Sequence, residues 1–479
     1  MVQKMALGKI AALFCLLMFF VYLSTLSISL DDWDSVQFAL GLKEFNVAKH
    51  QPHPPGFPLY ILFGTLLNAL LKNELLSLTC LSAFFGALSI FALYQLAKEM
   101  FNKQIALAAS ILTAITPMFW MYSVKAMSDM PALFFTLTAI LFIFKYVKYK
   151  KTGDLYAASL LSAVSAGVRP YSAVLLFPLL VCAVFLRRKS AKNGLKALSV
   201  FAFATLAWFL PLILISGITE YFSSTDLFFK WVFGNPVESI VSAELTLDYL
   251  GGRVFSFLKN FLLGGYGINL QNLSSVEAIL LFFIAGLLVC SLKKFDRKDE
   301  RIILFASALA PYLLMVFTFF PYYNDRYLLI GVPLLSMIFA NSIWRFKKTN
   351  QRLALFCVLG GLLLYASLPL ALEIHTKPTP PLQLINYLNE NYGSGDFIVL
   401  VGDEQRHFDY YPTAISKIPE VDCKKISQLL AENKTALCLY NINCPGLKLK
   451  LVSAFERNPR VHLKHSSSRL YEFSTEDGG

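Results

Sequence analysis

Three carboxylates crowd the short segment SLDDWDSVQFALGL: Asp31, Asp32 and Asp34. Like charges held together tend to raise a carboxyl pKa, and a raised carboxylate suits general-base work on a hydroxyl. Asp32 also reads as a cap for the helix that follows, a purely structural job. Asp34 lies one helical turn before Phe38 and so can point differently from Asp31. A further acid, Asp129, opens an apolar stretch in VKAMSDMPALFF, where Ser128-Asp129 ahead of Pro131 makes a good helix start. Cations stand in comparable settings. Lys125 precedes Asp129 by one turn, Arg169 interrupts SAVSAGVRPY, and Arg326 follows Asp325 in NDRYLLIGVP. Each can snorkel or pair with an acid, and each can equally meet a phosphate. His50 and His53 in HQPH have a metal-ligand spacing, but no further ligand is clustered with them in the sequence.

The elements that must position these residues are apolar. The chain has 479 residues, of which 56% are hydrophobic and only 15% charged. Its mean hydropathy is +0.56. Soluble domains carry about 25% charged residues, so the deficit points to a membrane protein. The net charge of +12 sits in short Lys/Arg clusters between apolar runs. That is the loading of cytoplasmic loops by the positive-inside rule, and it argues against a nucleic-acid partner. Cys423, Cys438 and Cys444 share the polar tail, where one disulfide is compatible with an outside location; their odd number leaves the pairing open.

If every basic cluster is cytoplasmic, neighbouring clusters must be joined by an even number of spans. Three apolar runs lie between Lys9 and Lys98, so one of them cannot cross. The proline-rich stretch 54–71 is the one read as juxtamembrane. The expectation is a polytopic α-helical membrane protein of about eleven transmembrane helices with outer juxtamembrane helices. The catalytic domain is expected at 1–375, with outer loops at 31–74 and 218–275. A small extracytoplasmic α/β domain is expected at 376–479, because helix-like and strand-like pieces alternate there. All six histidines fall on the expected outer side, which argues against a histidine proton relay through the bilayer.

An outer loop with early acidic residues, then PHPPGFPLY, SDMP, an RP break and NDRYLL, resembles the GT-C superfamily of glycosyltransferases. The resemblance covers roughly residues 10–345 and is closest to the protein O-mannosyltransferase and aminoarabinose transferase type, glycosyltransferase family 39. It implies a polyprenyl-phosphate sugar donor and inverting transfer on the outer face to a hydroxyl of a protein, lipid or glycan. It implies Asp34 as the base and Asp129 as the second-loop acid. Two features depart from the pattern: His53 stands where several relatives have Lys, and Asp32 and Asp34 are not adjacent.

The chemistry fits. A lipid phosphate is already a good leaving group, so the site needs cations over the phosphate and a base for the hydroxyl. Lys125, Arg169, Arg326 and His53 are candidates for the first task, with Asp32 beside them. No cofactor or bound metal is expected. An oligosaccharyltransferase is the nearest rival within the enzymes, and would use Asp32, Asp34 and Asp129 on a divalent metal. A lipid or solute transporter is the rival from another class, though inverted repeats and midplane charges are not evident. The expected location is an integral plasma (inner) membrane protein with its site and tail on the extracytoplasmic side.

Overall fold

The computed structural model describes residues 2–186, 191–236, 239–270, 272–292, 300–321, 324–392, 397–413, 416–418, 423–432, 434–461 and 466–475. The basic clusters at 187–189 and 293–298, and His462 and His465, lie outside the described residues.

The chain opens with α1 (Val2–Leu23) and turns through the acidic segment into α2 (Trp33–Lys43). Asp32 caps α2: its Oδ1 accepts from Asp34 N at 3.0 Å, and Ser35 Oγ accepts from Asp32 N at 2.8 Å. A proline-rich loop then leads to α3 (Pro58–Leu71), which begins on a proline whose missing N–H would have had no helical partner. In that loop Gly56 has φ +83°, and a Cβ there would lie 3.0 Å from Leu212. The turn therefore needs both the left-handed region and the absent side chain. Asn73 caps α4 (Glu74–Met100) through Leu76 N at 2.9 Å.

The helical body continues through α5 (Lys103–Ala114), α6 (Pro117–Val124), α7 (Asp129–Tyr149), α8 (Thr152–Val168), α9 (Ser172–Leu186) and α10 (Ala191–Ser216). It closes with α11 (Ile218–Gly234), α12 (Leu247–Leu262), α13 (Ser275–Leu292), α14 (Glu300–Phe319), α15 (Gly331–Trp344) and α16 (Thr349–Thr376). α4 packs against α1, α3, α5, α6 and α7. Gly86 permits its approach to α6, since a Cβ there would sit 2.5 Å from Ser123 Oγ.

The expected count of about eleven spans is not met. Among the described residues four helical stretches are long and apolar enough to cross a membrane: α4, α7, Lys192–Ser216 and Thr349–Asn391. A fifth arises if α5 and α6, bent by 64° at their junction, count as one span. The reason is that hydropathy registers apolar runs but not the breaks inside them. Pro117 interrupts the run 104–121, and α15 has only 14 residues, about 21 Å at 1.5 Å per residue against a hydrocarbon core of about 30 Å. The parity count of basic clusters falls with the span count. The bent pair does return the chain from one end of α4 to the other. Lys148, at the end of α7, bonds Glu99 at the end of α4 at 3.2 Å. Glu74, at the start of α4, and Lys125, just before α7, both touch the C-terminal domain.

That domain begins with α17 (Pro380–Asn391) and holds β1 (Phe397–Leu400), α18 (Gln405–Tyr410), β2 (Ser416–Ile418), α19 (Cys423–Ala431), β3 (Thr435–Cys438), β4 (Leu447–Glu456) and β5 (Ser467–Thr475). The sheet order is β2-β1-β3-β5-β4, parallel across β2, β1 and β3 and antiparallel beyond. Leu384, Ile385 and Leu388 of α17 pack on Val399, Leu437 and Leu470 from one face, and Cys423 is bonded to Cys444 beneath the other.

Candidate active site

Asp32 and Asp34 leave the start of α2 toward Arg326, which lies 292 residues beyond Asp34 in the 3-10 turn Asp325–Leu328. Asn324 sets that turn by accepting from Arg326 N at 3.3 Å. Arg326 Nη1 reaches Asp32 Oδ2 at 3.3 Å, and Nη2 forms a close pair with Asp34 Oδ2. One guanidinium thus bridges two carboxylates, an arrangement suited to its planar fork.

His53 stands on the other side of Asp34, its Nδ1 3.7 Å from Asp34 Oδ1. The same nitrogen is 2.8 Å from Gln37 Oε1, which also accepts from His53 N at 3.2 Å. Since the backbone N–H can only donate, that oxygen is the acceptor, and Nδ1 carries the imidazole proton. Burial pushes the His53 pKa below its ordinary value despite the opposing pull of Asp34. Burial alone would push the Asp34 carboxyl up, but Arg326, assisted by His53, outweighs it and holds the pKa below the ordinary value. The raised pKa expected from clustered carboxylates is therefore not what the site shows. The cation answers the crowding.

A second ion pair lies alongside. Asp129, at the start of α7, pairs closely with Arg169, just past the end of α8, and both side chains are buried. Both arginines approach the Tyr327 ring, with Arg326 Cζ 5.2 Å and Arg169 Cζ 5.5 Å from its centroid. A small cavity of about 50 Å³ joins Asp129, Arg169, Arg326 and Tyr327.

Asp32, Asp34, His53 and Arg326 face a much larger cavity of about 1340 Å³. One wall is aromatic, with Phe228, Trp231 and Phe233 of α11 and Phe319 of α14. Another carries Lys259, Asn269 and Arg460. Lys125 lines neither cavity; it is buried and donates from Nζ to the Val461 carbonyl at 2.5 Å. Among the described residues no group of three or more His, Cys, Asp or Glu side chains is arranged to hold a metal ion. Asp129 is engaged by Arg169 instead of joining Asp32 and Asp34.

Two participants, Gln37 and Tyr327, escaped sequence reasoning, and a third, Asp325, was read only as a neighbour of Arg326. Gln37 shares the face of Asp34 at helical spacing, which was a legible signal. Tyr327 simply follows Arg326 in the chain. Asp325 lines the large cavity, and burial, partly offset by Lys125, raises its pKa to about 6.

Residues 52–214, less than half of the chain, match the family model described as dolichyl-phosphate-mannose-protein mannosyltransferase. No curated protein gives a significant match. Two solved structures are similar over most of their length. ArnT from Cupriavidus metallidurans, bound to undecaprenyl phosphate, is 12% identical with a TM-score of 0.59, covering 98% of each chain. The apo oligosaccharyltransferase of Archaeoglobus fulgidus is 13% identical with a TM-score of 0.53, covering 91% of this chain and 69% of that one. At such identities the likeness is one of fold, shared with these two structures over nearly the whole of this chain.

Proposed function

We propose that the protein is a membrane glycosyltransferase that moves a sugar from a polyprenyl phosphate to an acceptor hydroxyl. The observation that carries this reading is the large cavity. It sets two carboxylates and a guanidinium beside an aromatic wall, which suits a charged headgroup on an apolar chain. The wall belongs to α11, whose Leu227, Phe229 and Trp231 are exposed along the cavity and offer an apolar surface suited to a polyprenyl chain.

Arg326 and Arg169 oppose the phosphate charge. Among the described residues, Arg326 Nε and Arg169 Nη2 are buried without a hydrogen-bond partner, so each arginine keeps a donor for a phosphate oxygen. Asp129 holds Arg169 in place, and Asp32 shares Arg326 while capping α2. His53, fixed by Gln37, supports the Asp34 carboxylate. Asp34 is the base. The acceptor oxygen attacks the anomeric carbon from the face away from the phosphate, and its proton passes to Asp34. The carbon–oxygen bond to phosphate breaks, and its electron pair leaves on the polyprenyl phosphate, which inverts the centre. When Arg326 turns toward the phosphate, Asp34 loses its main cation and becomes more basic as the donor arrives. Lys125 takes no part in donor binding in this scheme.

In this proposal the site and the C-terminal domain lie on the extracytoplasmic side of the membrane. The Cys423–Cys444 disulfide supports that, because structural disulfides persist in oxidising compartments. Binding of undecaprenyl phosphate and dolichyl phosphate to protein in nanodiscs tests the donor reading. Arg326→Ala should weaken binding at least several-fold; unchanged affinity would remove Arg326 from the phosphate site.

A further inference from the structure

The turn 457–461 between β4 and β5 belongs to the C-terminal domain, yet Pro459, Arg460 and Val461 line the large cavity. Four of the five residues of the turn are held to the helical body. Arg457 Nη1 pairs with Asp31 Oδ1 at 2.5 Å, with both side chains almost fully buried. Asn458 N donates to Glu373 Oε1 at 2.8 Å, and Arg457 Nη2 to the Glu373 carbonyl at 3.3 Å. Arg460 Nη2 pairs with Glu277 Oε1 at 2.8 Å. Val461 receives the buried Lys125 ammonium on its carbonyl. A buried lysine and a buried aspartate spent on one turn are costly placements, and burial alone gives the turn no reason to need them. The geometry of the acidic segment 31–34 adds a second reason. Asp31 grips the turn while Asp32 and Asp34, on the same short segment, grip Arg326.

We propose that Asp31 and Lys125 are positioning residues that lock the turn 457–461 onto the cavity as a wall that keeps water from the bound donor. This rests on the glycosyl-transfer reading. A polyprenyl-phosphate sugar in a wet site is open to hydrolysis: water oxygen bonds to the anomeric carbon, its proton goes to Asp34, and the carbon–oxygen bond to phosphate breaks with its electron pair on the phosphate. Excluding water protects such a reactive group.

The test measures sugar released to water from a panel of radiolabelled undecaprenyl- and dolichyl-phosphate sugars, without acceptor, by the full chain in nanodiscs. Lys125→Met and Arg457→Gln should raise release several-fold over wild type, and Arg457→Lys should restore it toward the wild-type rate. A role in stability alone would lower release together with folded protein, so a rise is the diagnostic sign. Release by wild type with no rise in either folded variant overturns the proposal and leaves the transferase reading standing. If Arg457→Gln does not fold, Lys125→Met decides alone, since it keeps a stem of similar volume and removes the ammonium with its hydrogen bond to the Val461 carbonyl. No release by wild type or variants from any donor counts against the donor reading, and the proposal falls with it.

Discussion

Replacing Arg326 by Gln should reverse the sign of the pH dependence of stability near the site. In the wild type Arg326 is 5% exposed and Asp34 21% exposed, and the guanidinium is the main influence holding the Asp34 carboxyl below its ordinary value. A group lowered in this way contributes stability above the unfolded pKa, about 3.9 for Asp, and loses it as pH falls through the lower folded value. Without the guanidinium, burial becomes the largest remaining influence, and it acts upward. The folded state then binds the proton more tightly than the unfolded state, so stability is present at low pH and lost as pH rises. Breaking one side of a buried pair costs about 3–5 kcal/mol, and the residual exposure of Asp34 puts this site at the lower end. The assay is thermal unfolding of both proteins in nanodiscs between pH 4 and neutrality. The deficit of Arg326→Gln should be largest at neutral pH and shrink toward pH 4. A deficit that is constant across the range, or that grows on acidification, would refute the reasoning.

The other expectations concern the second ion pair, the tail and the topology. Arg169→Ala leaves the Asp129 carboxylate buried and unpaired and should cost about 3–5 kcal/mol in unfolding experiments, with part of the loss recovered in Arg169→Ala/Asp129→Ala. Cys423 and Cys444 should resist alkylation until a reductant is added; labelling of both before reduction would contradict the bond. Cysteines placed at Asn73 and Lys150 should label from opposite faces, because α4, the bent pair α5–α6 and α7 make three crossings between them. Labelling from one face would show that the bent pair does not cross.

The membrane character and the acidic first loop could be read from local sequence, because composition and short-range spacing carry them. The span count could not. Pro117 ends one helix and begins another inside a single apolar run, and residue-averaged hydropathy is blind to that. The partners of the acids were out of reach for a different reason. Asp34 meets Arg326 across 292 residues, and Asp31 meets Arg457 across 426. No local signal links them. Lys125 and Asp129, one helical turn apart in the sequence, invited a local pair. The chain instead leaves helix between them, at Lys125 after α6, and sends one to Val461 and the other to Arg169.

Asp34 as the base that deprotonates the incoming hydroxyl is the claim on which the account turns. Wild type and Asp34→Asn, in nanodiscs, would be given the polyprenyl-phosphate sugar panel with hydroxyl acceptors, with and without a chelator. The account predicts transfer by the wild type that is indifferent to chelation and abolished in Asp34→Asn, with donor binding retained. Transfer that survives in Asp34→Asn, or that stops on chelation in the wild type, would contradict it.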